Sequence, residues 1–268
     1  MHLHFTDPYR HRNSPVHRLD PRAKFILTVA FILSVSLTPA GAWPVYVLTL
    51  ALVISAAILS DLGVGYALRR SMLALPFALA ALPLFFTVDG PAVFALPAGP
   101  WDITISQAGL TRFVSIALKS WISAQAAIIL TASTPFPQLL VAMRAVKTPR
   151  PLVTIFGLMW RYLFVLVDEA LRLMQARAAR SANPGRPDAH TGGSLIWRAR
   201  VTGGMAGNLF LRAFDRADRI YAAMLSRGYD GEARSLPLPP LAAAAWGVLC
   251  AGLLVLCALV AFGYLFWR

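Results

Sequence analysis

Residues 25–60, FILTVAFILSVSLTPAGAWPVYVLTLALVISAAILS, contain no charged side chain. One helix of that length would reach about 54 Å, far more than the ~30 Å thickness of a bilayer's hydrocarbon core, so the stretch cannot be a single crossing. The turn chemistry of TPAGAWP (38–44) breaks it and predicts two spans, roughly 24–40 and 43–60. Composition agrees with a membrane setting: 57% of residues are hydrophobic, 14% are charged and the mean hydropathy is +0.61, with far less charge than a soluble domain carries. The expected fold class is an all-α integral membrane protein with about five transmembrane helices and a cytoplasmic module of long amphipathic helices.

The first span carries a start signal. Asp20 can cap it, Pro21 suits the first helical position, and Lys24 marks the interface. A third span fits 71–88, where Pro76 and Pro83 are tolerable in a membrane helix. The Pro/Gly-rich stretch 89–101, ending on Trp101, reads as a loop at the far interface. A fourth span fits 113–134, with Lys119 near its outer end where a long stem can snorkel. The last span, 241–267, ends in Phe262, Tyr264, Phe266 and Trp267, an aromatic cluster suited to an interface.

Between the fourth and last spans the sequence changes character: residues 172–234 hold eleven arginines against five acids. This predicts three regions: a leader with four spans (1–134), a water-exposed module (135–240) and a terminal span (241–268). Basic residues also crowd the first 24 positions and the short 61–70 stretch, which reads as a loop (Arg69, Arg70), whereas 38–44 has none and 89–112 only Arg112. The positive-inside rule then puts the N-terminus and the basic module in the cytoplasm. Because the basic residues lie between apolar spans, a membrane face accounts for them and no nucleic-acid partner is expected. One segment tests the count. LVTIFGLMWRYLFVLVD (152–168) is apolar enough to suggest a sixth crossing, but it would carry Arg161 to the bilayer centre at about 3 kcal/mol or more. It reads better as a helix, 152–182, lying along the inner face with 152, 155, 159, 162, 166 and 170 on one stripe. Five spans are expected, with six as the alternative.

Two helix ends stand out. In AAMLSRGYDG (222–231), a helix from about 208 stops on Arg227, and Gly228 supplies the left-handed residue that lets the chain leave. Phe210, Phe214, Ala217, Tyr221 and Met224 form its apolar stripe, while Arg212, Asp215, Arg216, Asp218 and Arg219 lie opposite, Asp215 and Arg219 as an i,i+4 pair. ARAARSANPG (176–185) is built alike, with Arg177 and Arg180 on one face and Ser181 leading into the breaker NPG. A cation in a last turn is ordinarily worth ~0.3–1 kcal/mol. Two small-Arg-small ends (179–181 and 226–228), each on an amphipathic helix beside a membrane, point instead to docking: small neighbours admit a partner's surface while the guanidinium reaches carboxylates or carbonyls.

Catalytic motifs are missing. Lys119-Ser120 and Lys147-Thr148 lack a preceding glycine-rich phosphate loop, there is no HExxH or GxSxG, and Asp61, Asp89, Asp168 and Glu169 read as helix-end charges. No catalytic residue and no cofactor are expected. Cys250 and Cys257 lie in an apolar run as small hydrophobes. Four histidines (His2, His4, His11, His17) fall in the leader, and imidazole suits cobalt or nickel, but a solvated basic segment without metal is the plainer expectation. The leader has no apolar core, so it does not read as a cleaved signal.

NSPVHRLDPRAK (13–24), ARS (179–181) and MLSRGYDG (224–231), in that order, resemble the transmembrane T component of energy-coupling-factor (ECF) transporters, and the SPVHRLDPRAK form resembles the cobalt branch, CbiQ. The resemblance covers essentially the whole chain. It implies a multi-pass protein of the bacterial cytoplasmic (inner) membrane, with two cytoplasmic ABC ATPase subunits and a substrate-binding membrane S component as partners. It also implies that Ala179-Arg180-Ser181 and Ser226-Arg227-Gly228 are the coupling motifs, supported by Arg177, Tyr221, Met224 and Tyr229. His17, Asp20, Pro21, Arg22 and Lys24 would be its N-terminal signature, and metal capture would belong to the S component. Ser181 stands where glycine also occurs in the family, a departure that leaves Arg180 its role. Cobalt, nickel or a vitamin are the substrates to consider. A different class, a stand-alone channel or membrane enzyme, would use Lys119 and Arg161 as pathway charges.

Overall fold

The computed structural model describes residues 9–74, 76, 79–83, 91–98, 101–180, 194–231 and 240–267. The chain divides into two compact units, one made of His4–Val146 with Leu238–Arg268, the other of Lys147–Pro237.

The first unit holds α1 (Pro15–Arg18), α2 (Pro21–Leu37), α3 (Trp43–Leu59), α4 (Val64–Ser71), a two-stranded antiparallel hairpin of β1 (Ala92–Ala98) and β2 (Trp101–Ser106), α5 (Gln107–Ser133) and α6 (Phe136–Ala145). In chain order a later helix, Ala243–Phe266, completes it. Helix α2 starts as its sequence dictates: the Asp20 carboxylate accepts from the Arg22 amide at 2.9 Å and Pro21 fills the first turn. It packs against α5, α6 and Ala243–Phe266, while α3 and α4 lie on α5. Phe31, Val35, Tyr46, Val53, Ile122, Ile129 and Leu256 form the shared core. The opposite faces of the same helices are equally apolar yet open, with Leu33, Val47, Ile58 and Leu254 more than half exposed. Helices apolar all round with only one face buried against protein require hydrocarbon on the other, as in a membrane span.

Two lysines fix α2 against α5. At one pole Lys24 Nζ, almost fully buried, donates to the Ser133 carbonyl at 3.1 Å. At the other, Lys119 Nζ donates to the Ser36 carbonyl at 3.1 Å and to that of Thr38. Each ammonium thus meets the negative C-terminal end of the partner helix. Tyr264 Oη donates to the Leu37 carbonyl at 3.0 Å at that second pole, so Ala243–Phe266 runs parallel to α2. A Cβ at Gly252 would come within 2.5 Å of a Leu27 methyl, so the two helices approach closely there. Since α3 ends at the first pole and α5 begins near the second, the chain must change poles between Ser60 and Gln107.

Several expectations need correction. The 61–70 segment is mostly helix α4 rather than loop. Of the third span, expected as one helix over 71–88, Ser71 closes α4 and Met72–Ala74 and Leu79–Ala81 form 3₁₀ turns, while 75, 77–78 and 84–88 lie outside the described residues. The expected 89–101 loop contains most of the hairpin, with Ala98 paired to Trp101. Lys119 caps the end of α2 instead of snorkelling into an interface.

The second unit is a pair of long helices, α7 (Arg150–Arg180) and α8 (Leu195–Leu225); with them the terminal helix Ala243–Phe266 becomes α9. By length and composition alone α5, α7 and α9 could each cross a membrane, and α3 is a shorter apolar helix. Neither α7 nor α8 has a buried residue. Helix α8 begins thirteen residues before the expected 208, at the Ser194 cap whose Oγ accepts from the Trp197 amide. Gly203, Gly204 and Gly207 concealed that first half, because glycine is a poor helix former.

Candidate docking ends and the clamp between their helices

Helix α8 terminates in a Schellman turn. The Tyr229 amide reaches back to the Met224 carbonyl at 3.1 Å and the Gly228 amide to that of Leu225 at 2.9 Å. Gly228 sits at φ +78 with no atom near where a Cβ would be, so its glycine serves the backbone angle and not a close contact. The turn leaves Arg227 at the very end of the helix, exposed, between an exposed Ser226 and an exposed Gly228. Tyr221 is exposed and Met224 and Tyr229 half-buried. At the other end, Arg180 is the last residue of α7 and is exposed with Ala179, while Ser181 falls outside the described residues. Arg177 points elsewhere, half-buried and donating to Thr202 Oγ1 of α8 at 3.0 Å.

A second contact joins the same two helices. Glu169 Oε1 accepts from Arg212 Nη1 at 3.1 Å and Oε2 from Arg216 Nη2 at 3.0 Å. Arg212 and Arg216 stand four residues apart and so share a helix face. The Arg212 hydrogen bond is the main cause that holds the Glu169 carboxyl below its usual range. With Arg177 on Thr202 and Glu169 on Arg212 and Arg216, the helices run antiparallel where they touch. A cavity of about 430 Å³ opens there, lined by Asp168, Arg172 and the clamp residues among others. The sequence reading missed this clamp and took Glu169 for a helix-end charge. The i,i+4 arginine pair was the available signal, but its partner lies 43–47 residues away in sequence.

The N-terminal signature lies in the other unit and is a fastening, not a solvated segment. His17 Nε2 donates to the Arg10 carbonyl at 3.0 Å, and its Nδ1 lies 2.7 Å from Oγ of buried Ser14. Burial lowers the His17 pKa, disfavouring the charged ring. The Arg10 amide donates to the Ala132 carbonyl at 2.9 Å and its guanidinium covers the Tyr66 ring at 4.2 Å. Asp20 and Pro21 start α2, Arg22 is buried beside Asp20, and Lys24 holds the end of α5. Among the described residues no three of His, Cys, Asp or Glu gather as a metal would require. His2 and His4 lie outside them. Lys119, the charge a channel would need, is engaged by two carbonyls.

Comparison with known proteins supplies the remaining finding. The family model "CbiQ: Cobalt transport protein" matches residues 12–237. The chain is 29% identical over 229 residues to the energy-coupling factor transporter transmembrane protein EcfT of Lactococcus lactis, covering 82% of each. It is 30% identical over 226 residues to the protein of the same name from Thermosediminibacter oceani, again over 82% of each. It is also 30% identical over 165 residues to the cobalt transport protein CbiQ of Rhodobacter capsulatus, over 62% of this chain and 64% of that one.

Proposed function

This chain belongs to the CbiQ cobalt transport protein family, and from that premise we propose that it is the transmembrane T component of an ECF-type importer. It is a non-catalytic scaffold in a bacterial cytoplasmic membrane, with its N-terminus in the cytoplasm. Two ABC ATPase subunits dock on Ala179-Arg180-Ser181 and Ser226-Arg227-Gly228. Their closure moves α7 and α8, and that movement is passed to a membrane S component holding the substrate. Cobalt is the substrate the family name suggests, with nickel or a vitamin as alternatives.

One observation carries the two-partner reading. Arg180 lies eleven residues beyond Glu169 on α7, and Arg227 eleven beyond Arg216 on α8. At 1.5 Å per residue, each tip stands about 16 Å from the clamp, and on antiparallel helices they point apart. The tips are thereby separated by up to ~33 Å, a spacing that suits two docked subunits rather than one. Exposed Phe210, Phe214, Tyr221 and Leu225 along α8, and Ile155 and Met159 along α7, add an apolar surface of the kind a partner or bilayer face covers. Arg161 is exposed in mid-helix, which favours α7 at the inner face over a crossing.

Reversing the charge at either tip tests this. Arg180→Glu and Arg227→Glu should each abolish ATP-driven cobalt uptake and release the ATPases on purification, with membrane insertion unchanged. Normal uptake by both variants would refute the docking role.

A further inference from the structure

Sharing one carboxylate between two arginines is an unusual use of charge in a pair of helices that has no buried side chain among its described residues. Apolar packing between α7 and α8 is thin, since neither helix contributes a residue to any core. Glu169 has a side chain only 16% exposed and accepts from Arg212 and Arg216 through different oxygens, so its geometry is fixed from two sides. Arg177, donating to the Thr202 hydroxyl, adds a second contact some 12 Å along α7. The clamp lies between the two arginine tips, eleven residues from Arg180 along α7 and eleven to fifteen from Arg227 along α8.

We infer that Glu169 is the positioning residue that fixes the two docking ends relative to one another, a pivot lying between Arg180 and Arg227. The inference rests on the docking reading for its consequence in transport, but not for its geometry. With the carboxylate in place, a displacement at one tip is carried through the clamp to the other helix. Without it, α7 and α8 remain helical while their ends move independently, so that ATPases can still dock but hydrolysis drives import far less efficiently.

Spin labels read the geometry directly in the full chain. Cys250 and Cys257 are replaced by alanine, and nitroxides are attached through Ala176→Cys on α7 and Ala222→Cys on α8, both exposed and both clear of the tips. The labels should show one narrow distance distribution. Glu169→Gln, which keeps size and loses charge, should at least double its width, and the swap Glu169→Arg with Arg212→Glu should narrow it again. A Gln variant as narrow as its parent overturns the inference, as does a swapped pair as broad as the Gln variant. In the assembled transporter, Glu169→Gln should retain ATPase capture yet lower uptake per ATP hydrolysed by about tenfold. If the unaltered chain captures no ATPase, the docking reading falls while the spin-label result still decides the pivot.

Discussion

Lys24 shows how one side chain can serve a sequence signature and a helix end together. Its ammonium meets the Ser133 carbonyl at a site where both residues are buried. Removing it strands that acceptor at a cost of about 1–3 kcal/mol. Lys24→Met and Lys119→Met should each lower the thermal unfolding midpoint in detergent, with Lys24→Met the larger effect because its pair is the more enclosed. Equal stability of both variants and the parent would show that the two braces do not hold α2 on α5. The Asp20-Pro21 start was legible because capping is local, an oxygen and an amide two residues apart. The targets of Lys24 and Lys119 were not, because they lie 109 and 81–83 residues away. Arg227 and Gly228 belong to the legible kind, since a Schellman turn is written in a few consecutive residues.

Among the elements, α2, α3, α5 and α9 follow from long apolar runs, and their observed ends fall within three residues of the expected ones except that α5 starts six residues early, at Gln107. Where glycine interrupts a run, local patterning is a weaker guide, as in the first half of α8. Helix α6 was taken into the basic module, yet it packs along α2, a contact that periodicity over ten residues cannot reveal. The pairing of α7 with α8 belongs to this scale and carries a pH dependence. Because the Glu169 pKa is depressed in the folded protein, its clamp contributes fully above the range of an unfolded carboxylate and is lost as pH falls through the lower, folded value. The spin-label distribution should therefore stay narrow from neutral pH down to about pH 5 and broaden only in stronger acid. Broadening near pH 6–7 would mean that a histidine, not Glu169, controls the contact.

At the scale of the whole molecule, the membrane unit and the two-helix unit differ in what they leave unfinished. The first leaves apolar faces that hydrocarbon satisfies. The second leaves two arginine-tipped ends and open apolar stripes that only another protein or the bilayer surface can satisfy. Arg10, Arg18, Arg22, Arg69 and Arg70 belong to the leader and α4, at the pole where Lys24 meets Ser133, which is the charge bias expected of a cytoplasmic side. Crosslinking in living cells tests the central claim most directly. A photoreactive residue placed at Ala179 or at Leu225, beside each arginine, should capture an ATPase subunit from both positions, with capture lost on Arg180→Glu and Arg227→Glu respectively. Capture of no ATPase from either position, or modification of these positions by a reagent confined to the periplasm, would contradict the account.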